Sequence, residues 1–155
     1  MLDTPLPDPI AARLGDILAA HDGLEGPLLP ILHAVQAEWG FVPPEAIPQI
    51  ARHLNLGRAE VHGVVSFYHD FRDRPAGRIV LKLCAAEACQ AQGGRALARA
   101  VLAAVGLDAF GTTPDGRVTV EPIYCLGLCA TGPAAQVDGR LVGRATPHAL
   151  AEALR

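Results

Sequence analysis

The first seventy positions carry apolar residues at the spacing of one helix face. This spacing predicts a second helix over 28–39, a third over 45–54 and a fourth over 58–68. Glycine and proline separate these segments, and Gly40 is a natural C-terminal stop. We therefore predict that residues 1–73 form an N-terminal helical bundle. The apolar positions of the first helix are Ile10, Leu14, Ile17 and Leu18.

The pattern changes near residues 74–77 (RPAG), which we interpret as a linker. Residues 74–155 then read as strand, helix, strand, hairpin and helix. This order, β-α-β-β-β-α, is typical of a small thioredoxin-like domain, so the predicted fold class is α+β or α/β. Asp138-Gly139 favours a type I′ hairpin turn. The predicted segments are a strand at 78–84, a helix at 90–105, a strand at 117–121, a hairpin at 133–143 and a helix ending at 154.

Composition excludes several classes of protein. Of the 155 residues, 50% are hydrophobic and 19% are charged, which excludes a disordered chain. No uncharged stretch gives about 18 clean apolar residues, so we expect no membrane span. The net charge of −3 argues against a nucleic-acid partner. The N-terminus has no basic residue before its first predicted helix, so we expect no secretory signal and a cytoplasmic protein.

The cysteines form the most informative pattern in the chain. Cys84 and Cys89 are spaced C-x4-C, and Cys125 and Cys129 follow after 35 residues as C-x3-C. In a reducing compartment, two such pairs indicate metal binding rather than a disulfide framework. Each pair follows or borders a predicted strand. We therefore expect two loops at one end of a sheet to bring the four thiolates together.

The spacing leaves three kinds of site open. A 2Fe–2S cluster is favoured because each iron takes two thiolates, so two separated pairs suit it, and small apolar neighbours would shield it. Structural zinc is a second possibility, although its ligand pairs commonly have shorter gaps. Redox-active thiols are a third, weakened because the chain has no C-x-x-C motif.

Four segments resemble one known family, the thioredoxin-like 2Fe–2S subunits that accompany the flavoprotein of NADH:quinone oxidoreductase. Similar subunits occur in NAD-reducing hydrogenases and NAD-dependent formate dehydrogenases. The resemblance implies that Cys84, Cys89, Cys125 and Cys129 are the ligands of one 2Fe–2S cluster. The segments are 60–71 (EVHGVVSFYHDF), 84–90 (CAAEACQ), 112–129 (TTPDGRVTVEPIYCLGLC) and 132–139 (GPAAQVDG).

Within this family, residues 28–36 (LLPILHAVQ), 84–90 and 120–129 look most similar to the gamma subunit of soluble molybdenum-containing formate dehydrogenases. That resemblance implies a non-catalytic electron-transfer subunit. Its partners would be an FMN- and NAD-binding flavoprotein and a molybdenum subunit, which would hold those cofactors. The alternatives are the equivalent subunit of NADH:quinone oxidoreductase or of a hydrogenase, and a zinc-stabilised structural subunit. An isolated chain could also form a homodimer.

No nucleotide-binding motif accompanies the cysteines. Gly93-Gly94 follows the second cysteine, but neither a dinucleotide fingerprint nor a Walker pattern occurs in the sequence. We therefore expect the chain to bind neither NAD nor FMN by itself, and we predict no catalytic residue.

Overall fold

The computed structural model describes residues 8–154 of the chain. The expectation of no secretory signal rests on the N-terminal segment, whose first seven residues lie outside the described part of the chain. The chain divides into two compact units, Met1–Pro75 and Ala76–Arg155. Among the described residues, no helix is long and apolar enough to cross a bilayer.

The first unit consists of short helices, as the apolar spacing predicts. Proline shapes the start of the third, where Pro44 begins a 3₁₀ turn and Pro48 lies in the first turn of the following helix. A proline is tolerated there because the first helical N–H groups have no partner within the helix. The elements are α1 (Asp8–Ala20), α2 (Leu28–Trp39), the 3₁₀ turn (Pro44–Ala46), α3 (Ile47–His53) and α4 (Arg58–Phe67).

The core of the first unit takes one apolar face from each helix. Complete burial of such side chains contributes about 1.5–3 kcal/mol each relative to exposure. Phe71 is also buried here, but Tyr68, which we place on the apolar stripe of the fourth helix from sequence, is exposed. The reason is that α4 ends at Phe67 and the chain is extended at Tyr68. The fully buried side chains include Leu14, Ile31, Leu32, Val35, Ile50 and Val61.

The second unit contains a five-stranded mixed sheet. Its strand order is β2-β3-β1-β4-β5, with β1 parallel to β3 and the other neighbours antiparallel. The elements are β1 (Ile79–Cys84), α5 (Glu87–Ala91), α6 (Gly94–Val105), β2 (Gly111–Thr112), β3 (Val118–Ile123), β4 (Ala135–Val137), β5 (Arg140–Val142) and α7 (Pro147–Ala153).

Two local features differ from the sequence expectation. The single helix predicted over 90–105 is two helices, because Gly93 adopts a left-handed conformation (φ 94°) between α5 and α6. Glycine adopts this conformation at little cost, so it separates the end of α5 from the start of α6. The short strand β2 is not predicted from sequence.

The hairpin and the last helix agree with the local signals. Asp138 and Gly139 both have positive φ values, 46° and 83°, as a type I′ turn requires. The Thr146 hydroxyl accepts a hydrogen bond from the Ala149 N–H at 3.2 Å and caps α7.

The pairing of β1 with β3 determines where the chain leaves the sheet. Because these strands are parallel, their C-terminal ends lie at the same edge, and Cys84 pairs with Ile123 in the register. The Ala85 N–H continues this contact with a hydrogen bond to the Ile123 carbonyl at 2.8 Å. The segments that follow both strands therefore begin side by side.

Candidate metal centre

The four cysteines lie on these two neighbouring segments. Cys84 is the last residue of β1 and Cys89 lies within α5, and both are almost completely buried. Cys125 follows β3, and Cys129 begins the 3₁₀ turn Cys129–Thr131. These last two are exposed, and all four are free thiols. We expect Cys89 from sequence to precede a helix; instead α5 contains it.

The thiols meet as two pairs. Burial raises the pKa of the Cys89 thiol, and a hydrogen bond with Cys84 raises it further. In the second pair, a hydrogen bond with Cys125 raises the pKa of Cys129, and the charge of Cys125 acts in the same direction. The pairs also interact with each other, since Cys129 contributes to the shift at Cys89 and Cys84 to that at Cys129. The charges of the two pairs therefore influence the pKa of Cys89 and that of Cys129.

Backbone N–H groups point at a sulfur in each pair. The Gly127 N–H donates to Cys125 Sγ at 3.3 Å, and the Ala134 N–H forms a hydrogen bond that lowers the pKa of Cys89, opposing the effect of burial. Hydrogen bonds to cysteine sulfurs stabilise their ionised form and tune the potential of iron–sulfur centres. The donors therefore suit sulfurs that act as thiolate ligands.

The backbone at Cys125 is unusual. Its φ is 135°, a value that L-amino acids rarely adopt, and Gly127 two residues later is left-handed at 74°. A residue in such a region costs about 1–3 kcal/mol and persists where the surroundings hold it, often at functional sites. Gly127 indicates a tight turn from the sequence, whereas nothing in the sequence indicates the conformation of Cys125.

Apolar side chains surround the buried pair. Ala134 is fully buried against the two thiols, and small and branched side chains pack around this group. Such a lining excludes water from one side of the site while the Cys125 pair faces solvent. The partly buried members of the lining are Ala86, Ile123, Leu126 and Leu128.

The donor set fits a two-iron cluster. Each iron of a 2Fe–2S cluster takes two thiolates, which is the paired arrangement that these thiols show. Within residues 8–154, no group of three or more His, Cys, Asp or Glu side chains could hold a metal ion, whereas each iron of such a cluster takes only two thiolates from the protein. The exposed charge nearest in sequence, Glu87, lies in the first turn of α5 between the first two cysteines.

Two residues near the cysteines have roles that sequence reasoning misses. Gly94 is buried at the start of α6, where an added Cβ would lie 2.7 Å from the Cys89 carbonyl oxygen. Gln92 bridges the two cysteine segments with its amide group. In the sequence, the Gly93-Gly94 pair is the one feature that could indicate a close backbone approach next to Cys89.

Comparison with known proteins shows the family to which the chain belongs. The chain matches the family described as thioredoxin-like [2Fe-2S] ferredoxin over residues 14–155. It is 32% identical over 142 residues to the NADP-reducing hydrogenase subunit HndA of Solidesulfovibrio fructosivorans, a match that covers 92% of this chain and 83% of that relative. It is 35% identical over 133 residues to NADH-quinone oxidoreductase subunit 2 of Thermus thermophilus, covering 86% and 74%.

A solved structure shows the same fold. An NAD⁺-reducing [NiFe]-hydrogenase in the air-oxidized state superposes with a TM-score of 0.67 and 27% identity over 83% of this chain, which spans 22% of that hydrogenase chain. The chain therefore belongs to the thioredoxin-like [2Fe-2S] ferredoxin family. The predicted family and the predicted thioredoxin-like fold are confirmed.

Proposed function

We propose that this chain is an electron-transfer subunit that carries one 2Fe–2S cluster. Cys84 and Cys89 would bind one iron of the cluster, and Cys125 and Cys129 would bind the other. The observation that carries the proposal is that the parallel pairing of β1 with β3 starts the two cysteine segments side by side, and that Gln92 bridges them, in a member of a 2Fe–2S family. When bound, the cluster would accept and release one electron at a time.

The surrounding residues define what the protein contributes. Burial of Cys84 and Cys89 excludes water from one side of the site. Exposure of Cys125 and Cys129 leaves the other side open to a partner protein. A partner that docks there would bring its own redox group close to the cluster, and this positioning is what the protein contributes to electron transfer. The N–H groups of Gly127 and Ala134 would stabilise the thiolates. We assign no acid, base or nucleophile to the chain.

The proposed partner is an FMN- and NAD-binding flavoprotein. This proposal is supported by the relatives, whose names place them in an NADP-reducing hydrogenase and in NADH-quinone oxidoreductase. We propose the same role for this chain in a complex of one of these two types. FMN and NAD would then be bound by the partner.

Formate dehydrogenase is a second candidate for the host complex. It is favoured by residues 28–36, 84–90 and 120–129, which resemble the gamma subunit of that enzyme. The complex isolated through a tag on this chain distinguishes the candidates. A molybdenum-containing subunit would support formate oxidation, and a hydrogen-oxidising or quinone-reducing assembly would support the hydrogenase or NADH-quinone oxidoreductase proposal.

The first experiment tests the cluster itself. The chain is purified without oxygen, iron and zinc are quantified, and visible and EPR spectra are recorded before and after dithionite. We expect two irons per chain, a red-brown colour and an EPR signal only after reduction. One zinc without colour would replace the proposal with a structural zinc subunit. A metal-free chain that turns over disulfides would replace it with a thiol oxidoreductase.

A further inference from the structure

Gln92 connects the two segments that carry the cysteines. It follows α5 as the cap residue, three positions after Cys89. Its side-chain Nε2 donates one hydrogen bond to the Ala88 carbonyl at 3.0 Å and another to the Cys129 carbonyl at 2.9 Å. The amide thus uses both of its hydrogens, one on each segment, across 37 residues of sequence.

The two carbonyls lie on different cysteine segments. Ala88 immediately precedes Cys89, whose pair is buried, whereas Cys129 belongs to the exposed pair. The turn of Cys129 has its own local hydrogen bond, from the Thr131 N–H to the Leu128 carbonyl at 2.9 Å. That bond shapes the turn but does not tie it to α5. The hydrogen bond from Gln92 to the Cys129 carbonyl provides that connection to α5.

Gly132 leaves the space that the Gln92 amide occupies. A Cβ added at Gly132 would lie 2.8 Å from Gln92 Nε2 and 3.1 Å from its Cδ. These atoms are the end of a flexible side chain, so an alanine at 132 would displace the amide rather than the backbone. The glycine and the glutamine are therefore complementary, and they offer two independent ways to break the same bridge.

We propose that Gln92 is a positioning residue that holds Cys129 at a set distance from the Cys89 pair. The inference rests on the proposed function, because the cluster needs both pairs in place at once. Without the bridge, the exposed turn keeps its hydrogen bond from the Arg144 N–H to the Thr131 carbonyl at 2.6 Å, but it loses its side-chain tie to α5. Each hydrogen bond lost changes an equilibrium several-fold, so we expect the loss of the bridge to raise the population of the displaced turn about tenfold. Iron release through that displaced turn should then be faster by about the same factor.

The test compares Gln92→Leu, which keeps the size but removes the donors, with Gly132→Ala, which keeps the donors but displaces them. Gln136→Leu, on β4, is the matched control. Iron release from the loaded full-length protein is followed by loss of visible absorbance with excess chelator under anaerobic conditions. The EPR g values of the reduced protein report the geometry at the cysteines, and thermal unfolding by circular dichroism reports the fold.

We expect both bridge variants to load two irons, to release them about tenfold faster than wild type and to show shifted g values, with nearly unchanged thermal unfolding. Gln136→Leu should match wild type. Wild-type release rates and g values in both bridge variants would overturn the inference and leave the proposed function intact. A wild-type chain without iron would overturn both. If Gln92→Leu does not fold, Gly132→Ala alone decides between these results.

Discussion

Gly94→Ala tests how closely α6 approaches the first cysteine pair. The new Cβ would lie 2.7 Å from the Cys89 carbonyl oxygen and 3.0 Å from its carbonyl carbon. An ordinary carbon–oxygen contact is about 3.3–3.6 Å, so the two segments must separate by roughly half an ångström. Both atoms are backbone, and the backbone of Gly94 is not left-handed, so steric overlap is the cause of any loss.

The magnitude is the difference between two effects. Overpacking of this kind costs about 1–3 kcal/mol. Replacing a helix glycine with alanine returns up to about 1 kcal/mol, and less at the first helical residue. We therefore expect Gly94→Ala to lower the free energy of unfolding of the second unit by about 1–2 kcal/mol and to reduce the iron bound per chain.

The assay is anaerobic denaturant unfolding followed by visible absorbance and circular dichroism. Gly63→Ala in α4 is the control, because an added Cβ there meets no atom within 4 Å. That control should be neutral or stabilising by up to about 1 kcal/mol. If Gly94→Ala retained all of its iron and were as stable as wild type, the close approach of α6 to Cys89 would be refuted.

Three further predictions concern the cluster, the core and acid stability. Replacing any one of the four predicted ligands with alanine should abolish or destabilise the two-iron spectrum, because one iron then lacks a ligand. His62→Ala should keep the spectrum, and a full wild-type spectrum in any ligand variant would contradict the assignment. The ligand variants are Cys84→Ala, Cys89→Ala, Cys125→Ala and Cys129→Ala. Leu81→Ala should lower the free energy of unfolding in urea by about 2–5 kcal/mol, because Leu81 is fully buried in the central strand. A smaller loss would mean that neighbouring side chains move in to fill the cavity. A hydrogen bond from the Thr113 hydroxyl and one from the Arg117 N–H hold the pKa of Asp115 below its usual value. The ionised form therefore stabilises the fold above an unfolded pKa of about 3.9, and this contribution is lost as the pH falls through the lower folded pKa. Asp115→Asn should flatten the acid side of a stability-versus-pH curve, and an unchanged acid side would contradict this.

Local signals predict local structure well in this chain. The helix over 28–39 is found with the same bounds, since its left-handed C-cap at Gly40 depends only on neighbouring residues. The hairpin turn at Asp138-Gly139 and the Thr146 cap are likewise short-range. β2 is different, because its two residues become a strand only by pairing with β3, which is a contact that composition does not encode.

The sequence by itself determined the family and the cysteines to examine. The C-x4-C and C-x3-C spacing, with the segments around it, was enough for that, because ligand type and loop length are local properties. Only the tertiary structure decided which thiols are buried, that the two cysteine segments start side by side, and that Gln92 bridges those segments. These facts depend on the parallel pairing of β1 with β3, which brings together segments that are far apart in the chain.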